Sequence, residues 1–221
     1  MEAPSSPATN ENTNEPLNET TQPENVTAGR SDNGAGNSAA PTPATEEAKK
    51  LPPLTQAEFQ AFNRLAEKMD YFHNHFRQTW AVLYSACESG RRPSGMTLKQ
   101  FLSSGLDLTQ YLEAHHSIEE TYLYPLLARK MPAFRSSTSK KGEDCELLRQ
   151  HQEIHKGMDV FEAYLRECKN RERELELPVL KQKMDAWGDV LFKHLDQEVR
   201  DLGAEEMRKY WTIAEMRAFP I

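Results

Sequence analysis

The amino-acid sequence predicts an all-α fold, an antiparallel up-down four-helix bundle with a disordered N-terminal tail and a short C-terminal helix. Three observations carry this. From residue 54 onward apolar residues recur at steps of three and four, and no alternating pattern competes for a strand. Four such amphipathic segments follow one another with short connections, which argues antiparallel neighbours. Residues 1–50 contain no aromatic side chain, one leucine (Leu17) and one valine (Val26), too little apolar surface to offset chain entropy. The expected organisation is therefore a tail over residues 1–50 and a bundle over 51–221.

Helix 1 is read over about residues 55–88, where Phe59, Phe62, Leu65, Met69, Phe72, Phe76, Trp80 and Leu83 form one stripe. The run SGRRPSG (89–95) ends it. A short helical piece near 97–103 is expected to stop at Ser103, Ser104 and Gly105, with Asp107 capping helix 2. That helix shows Leu108, Leu112, Tyr122, Leu123 and Leu126, and Pro125 should bend its last turns before a polar loop around 132–142. Helix 3, about 143–169, uses Leu147, Met158, Phe161 and Leu165. Pro178 suits the first turn of helix 4, which shows Leu180, Met184, Trp187 and Leu191 and runs to about 202. Residues 204–217 read as one further short helix on the outside.

Charge excludes some partners. The tail sets eight acidic side chains against Arg30, Lys49 and Lys50, a balance of −5, so only about −2 of the total −7 belongs to the bundle. That is no footprint for nucleic acid, and no run approaches a membrane span. The tail lacks the basic start and apolar run of a secretory peptide and is too acidic for a mitochondrial presequence, so a cytoplasmic protein is expected and the acceptor patterns at Asn18 and Asn25 are discounted. Cys87, Cys145 and Cys168 share no CxxC spacing and read as reduced thiols. No phosphate loop, nucleophile-base arrangement or cofactor fingerprint is found.

The informative residues are those that interrupt the apolar stripes. His73 lies about 40° from Met69 on helix 1. On helix 2 the stripe runs through His115 and Glu119, on helix 3 through His151 and His155, and on helix 4 through His194 and Glu198. His75 falls off the stripe and should be exposed. His116 with Glu120 forms an equivalent pair beside His115 with Glu119, so a shifted register stays open. One core histidine is ordinarily a satisfied structural residue. Five imidazoles and two carboxylates aimed into one bundle core would cost several kcal/mol each wherever they lacked partners. A dinuclear metal site satisfies them together. Mixed nitrogen and oxygen ligation suits iron or manganese, with zinc possible, and the absence of thiolates argues against a cluster.

At these residues the chain resembles the hemerythrin-like, HHE cation-binding family over about residues 55–202. HNHFR (73–77) is similar to the family's first-helix histidine followed by arginine, HHSIEETYLYPLL (115–127) to its second-helix signature, HQEIH (151–155) to its paired-histidine helix, and HLDQE (194–198) to its last-helix motif. The resemblance implies His73, His115, Glu119, His151, His155, His194 and Glu198 as ligands of two iron ions, an oxo- or hydroxo-bridged di-iron centre. Glu198 follows His194 by four residues, one fewer than in oxygen-carrying hemerythrins, which places the chain nearer the broader HHE group. The function implied is binding or sensing of dioxygen, nitric oxide or redox state, or iron handling. Its alternatives are a di-iron enzyme of peroxidase, ferroxidase or repair type, and a scaffold whose iron is structural. Phe76, Leu112, Met158, Trp187 and Leu191 lie within about one turn of these ligands; they read first as ordinary core packing, a role compatible with serving as apolar walls. The extra acids Glu120 and Glu153 read as surface positions.

Because the tail carries neither histidine nor a usable apolar face, deleting residues 1–50 should leave metal content and thermal stability unchanged. A loss of metal, or of more than about 1 kcal/mol in denaturant unfolding, would show that the tail joins the core.

Overall fold

In the computed structural model, residues 51–135 and 145–220 are described. Thr55 begins the first helix with a capping box, its hydroxyl accepting from the Glu58 amide while the Glu58 carboxylate accepts from the Thr55 amide. The helix, α1 (Gln56–Ser89), ends at Gly90, whose φ of 69° closes the last turn onto Ala86 at little steric cost.

The second helix departs from the expectation of two pieces. Thr97, not Asp107, caps a continuous α2 (Leu98–Ile118), with Gln100 completing the box. Gly105 does not break it. A Cβ there would lie 2.5 Å from Leu165 Cδ1, so this glycine lets α2 lie close to the helix it packs on.

Beyond Ile118 the chain forms a π-helical turn, Glu119–Leu123, and then the short α3 (Tyr124–Leu127). Pro125 cannot donate back to the preceding turn. The helix widens ahead of it, and the Tyr124 amide bonds to the Glu119 carbonyl five residues back. One extra residue per turn shifts the face that follows. Tyr124, Leu127 and Met131 are buried, whereas Tyr122, expected in the stripe, is 70% exposed. Phe59 and Phe72 are likewise exposed although the periodicity of α1 placed them inward.

Pro132–Phe134 makes a single 3-10 turn; the remainder of the expected polar loop and residues 143–144 at the start of helix 3 lie outside the described residues. Helix α4 spans Glu146–Lys169 and α5 spans Leu177–Asp201, with Pro178 in its first turn as expected. The segment read as one outer helix is two, α6 (Ala204–Met207) and α7 (Ile213–Ala218), because Thr212 starts a new capping box with Glu215. Both short helices pack on α1.

The long helices form an antiparallel bundle in which α1 lies against α2 and α5, and α4 against the same two. The core is divided. Phe76, Trp80, Leu112, Ile154, Met158, Phe161, Trp187, Leu191 and Leu195 belong to one apolar cluster. Met69, Tyr124, Leu127, Leu147 and Leu202 belong to a second. On each helix the polar residues fall where one cluster gives way to the other: His73 between Met69 and Phe76, His115 to Glu119 between Leu112 and Tyr124, Gln150 and His151 between Leu147 and Ile154, His194 and Glu198 between Leu191 and Leu202. Among the described residues no helix is long and apolar enough to cross a membrane.

Gly157 tests how tightly α4 and α5 are set. A Cβ at this position would meet Trp187 Cβ at 2.3 Å and Cγ at 2.5 Å, atoms rooted at the α5 backbone. Gly157→Ala should therefore lose about 2 kcal/mol in urea unfolding, overpacking outweighing the gain of about 1 kcal/mol in helix propensity. A stabilised variant would show that the two helices are free to separate.

Candidate metal centre

Antiparallel packing brings the interrupting residues of all four long helices to one level. Two groups result. His73, His115, Glu119 and Glu198 offer ligand atoms within 4.8 Å of one another, and so do His116, Glu119, His151 and His194. The groups share Glu119 and thus comprise seven residues, all buried except the half-buried His115. His155 lies outside both, half-buried, its Nε2 3.2 Å from His116 Nδ1 and its Nδ1 3.0 Å from a Glu113 carboxylate oxygen. His75 is exposed and lies edge-on to Tyr111, as its place off the stripe implies.

The outer nitrogens determine what the inner ones are. His73 Nδ1–H donates to the Leu195 carbonyl at 3.0 Å. His151 Nδ1–H donates to the Glu120 carboxylate at 2.7 Å. His194 Nδ1–H donates to the Gln150 side-chain oxygen at 3.3 Å, and that amide is held in orientation because its nitrogen donates to Glu146 and Gln197. A neutral imidazole with its proton on Nδ1 presents a lone pair at Nε2. Those lone pairs converge: His151 Nε2 lies 3.2 Å from His194 Nε2, and His73 Nε2 lies 3.2 Å from His115 Nε2.

The carboxylates are in the same position. Glu119 Oε1 approaches His115 Nε2 at 3.0 Å, and Glu198 Oε2 approaches His73 Nε2 at 3.3 Å and His194 Nε2 at 3.7 Å. None of the four carboxylate oxygens has a hydrogen bond of proper geometry, and His116 Nε2 is also buried without a partner. Buried polar atoms left this way cost free energy unless something absent from the protein pairs them. A pair of cations does so, and nitrogen and oxygen donors in this ratio fit divalent or trivalent iron, manganese or zinc.

Protonation of the imidazoles is no substitute. Burial lowers His115 and His194 to about 4 and His151 to about 2, and holds His116 well below its ordinary value. Burial, reinforced by the neighbouring Glu198, raises the Glu119 carboxyl well above the usual range.

Aromatic rings wall the layer. Phe76 packs on His115 at 5.2 Å between centroids, Phe72 reaches the same ring at 5.9 Å, and His116 stacks on His151 at 3.8 Å. Tyr124, brought inward by the π turn, stacks on His151, and its hydroxyl lies 3.3 Å from His151 Nε2. Of the residues weighed as apolar walls only Phe76 has ring contacts with the histidines; Leu112, Met158, Trp187 and Leu191 are buried in the first apolar cluster.

The sequence model of the hemerythrin HHE cation binding domain matches residues 64–204. The chain belongs to that family. The match spans all four motif segments and both groups of ligand-type residues. Among curated proteins, this hemerythrin-like chain is similar to the dimeric xanthone biosynthesis cluster protein R11 of Cryptosporiopsis sp. (strain 8999), 24% identical over 169 residues. The alignment covers 73% of this chain and 59% of that relative, so the chain corresponds to little more than half of it. No solved structure matches the chain.

Two partners of the centre, Gln150 and Tyr124, escaped the reading of the sequence, and a third, Glu120, was weighed there as a ligand beside His116 but not as the partner of His151. Gln150 sits on the α4 stripe between Leu147 and Ile154 and was detectable there. Glu120 was read as a surface acid, and although 44% of its side chain is exposed it orients His151. Glu153, also read as a surface acid, pairs with Arg149.

The metal-free protein should lose stability as pH falls from about 6.5 toward 4. In that window the unfolded chain binds protons at His115, His116, His151 and His194 that the folded chain refuses. Glu119, with a raised value, acts in the opposite direction but is one group against four. Each refused proton is worth at most about 1.4 kcal/mol per pH unit. Urea midpoints of chelator-treated protein at pH 7 and pH 5 check this, and an equal or higher midpoint at pH 5 contradicts it.

Proposed function

We propose that the two groups hold a di-iron centre and that the protein binds or senses a small ligand such as dioxygen or nitric oxide, or responds to redox state through that centre. The observation that carries the reading is the set of imidazoles whose Nδ1–H groups are committed outward while bare Nε2 atoms converge on two carboxylates without hydrogen bonds. Outward hydrogen bonds of this kind are how proteins orient metal-ligating histidines.

In this proposal His73 and His115 serve one iron and His116, His151 and His194 the other. Glu119, common to both groups, and Glu198, which approaches His73 and His194, lie between them. Bound iron would supply a redox-active Lewis-acid pair. The protein's own part is orientation. The Leu195 carbonyl, Glu120 and Gln150 hold three imidazoles in one tautomer, and Phe76 and Phe72 pack against the His115 ring. The family resemblance implies His155 as a ligand, whereas the geometry favours His116 in that role. His155 then accepts from His116 Nδ1–H and donates to Glu113. Three scattered cysteines, Cys87, Cys145 and Cys168, with no CxxC spacing fit a reducing, cytoplasmic setting.

Anaerobic reconstitution should give two iron ions per chain and near-ultraviolet absorption that changes on adding azide. One zinc per chain without iron uptake would overturn the proposal. Under identical reconstitution His73→Ala should lower iron content while His75→Ala leaves it intact. His116→Ala should likewise cost more iron than His155→Ala; the reverse order would make His155 the ligand.

A further inference from the structure

The centre is not closed on all sides. Between α1 and the α2–π turn–α3 segment runs a groove of about 1250 Å³, with His115 and Glu119 among its lining residues. A diatomic ligand needs a small fraction of that space; ligand sites for organic molecules are of about this size or smaller.

The groove is also where the protein leaves its aromatic surface uncovered. Of the five large aromatic side chains exposed among the described residues, Tyr71, Phe72, Tyr111 and Tyr122 line it, and exposed Ile118 joins them. Singly exposed apolar residues need no explanation, but a contiguous concave set does. Two of the residues that periodicity placed in the core, Phe72 and Tyr122, are in this set. The π turn turns Tyr122 outward to the groove, and Phe72 spans from Tyr71 to the His115 ring.

Charge selects the occupant. The protein is acidic overall, yet the charged residues lining the groove besides buried Glu119 are Lys68 and Arg129, and neither makes an ion pair among the described residues. Lys68 lies one turn before Phe72 on α1, about 6 Å along the axis. Arg129 follows α3, which runs antiparallel to α1, so both cations fall toward the same end. The groove therefore offers cations at one end, an aromatic trough, and the metal-ligand layer at its floor.

We propose that this groove is a binding site for a ring-bearing organic anion, such as an aromatic carboxylate, held by Lys68 and Arg129 with its apolar body between Phe72, Ile118 and Tyr122. The site goes beyond capture of a diatomic ligand, because it places an organic molecule against His115. Its position beside a metal rests on the di-iron reading; binding to the groove does not.

The test uses full-length protein, titrated with 2-naphthoate and its neutral analogue 2-naphthamide by calorimetry, metal-free and iron-loaded. Naphthoate should bind one per chain. Lys68→Gln with Arg129→Gln should weaken naphthoate about tenfold and leave the amide within about twofold, while Ile118→Glu should weaken both about tenfold. Circular dichroism and melting establish that each variant folds, and Tyr122→Ala replaces Ile118→Glu if that one does not. In iron-loaded protein the naphthoate protons should relax faster than in zinc-loaded protein, the signature of proximity to the centre. A protein that takes up no iron but binds naphthoate in this pattern fails the di-iron reading and keeps the groove. Absence of naphthoate binding, or binding indifferent to all these substitutions, overturns the site. So does a concentration-dependent dimer abolished by Ile118→Glu, which would assign the face to a second copy of the chain.

Discussion

Everything at the middle of this bundle depends on imidazole lone pairs that face one another. His151 and His194 bring unprotonated nitrogens to 3.2 Å, with their protons held on the far side of each ring by Glu120 and Gln150 and only the Tyr124 hydroxyl, 3.3 Å from His151 Nε2, within hydrogen-bonding reach of that nitrogen. No rearrangement of protons within the neutral rings removes the conflict without breaking an outward hydrogen bond. Adding protons is resisted by burial, which keeps these rings neutral. A cation is the remaining way to convert the repulsion into bonding, and the uncompensated oxygens of Glu119 and Glu198 supply the countercharge. The cost is tolerable because apolar clusters on both sides hold the helices together.

That division of the core explains the use of an irregular helix. In a regular α-helix, Glu119 would be followed on the inner face by residues 122 or 123 and 126. The second apolar cluster buries Tyr124 and Leu127, five and eight residues on, while Leu123 and Leu126 pack against it only partly buried. The π turn supplies the missing residue. Glu119 thereby reaches both groups of ligand-type residues, Glu120 reaches His151, and Tyr124 stacks on that same ring. Pro125 makes the widening inexpensive, since it has no amide proton to lose.

These facts also mark what a single sequence discloses. The order of the four long helices and the span of α1 and α5 followed from apolar periodicity and caps, because those signals are local, whereas the start of α2 and the division of the outer segment into α6 and α7 did not. The motif histidines and glutamates were legible for a related reason: each interrupts a stripe at a definite angle. A one-residue register shift leaves no such mark, so Tyr122 was assigned inward and Tyr124 was missed. Gly105 was misread because a glycine that ends a helix and one that lets helices approach look alike without the partner, here Leu165. The choice between His115 and His116 was open in the sequence because adjacent residues 100° apart can both face a wide enough interior. Both do. The donors to Glu120 and Gln150 come from other helices, and no spacing along one helix encodes them.

The two groups of ligand-type residues differ in what surrounds them, and this asymmetry has a chemical consequence. His116, His151 and His194 are backed by His155, Glu120 and Gln150, a polar shell that fixes their rings and leaves little freedom to admit another molecule. His115 has no such backing; it is half-buried and packed by Phe72 and Phe76 at the wall of an apolar groove. A metal pair placed here would have one hydrogen-bonded side and one side bounded by aromatic rings at a groove. Under the proposed function, exchange of a ligand would then fall to the His73 and His115 side, where His115 and Glu119 line the groove. The same polar shell ties the hydrogen-bonded side to surface acids, Glu113 through His155 and Glu120 directly, so charge changes at the centre are felt there by groups in contact with water. In such a centre ligand entry and charge compensation would fall on opposite faces of one layer.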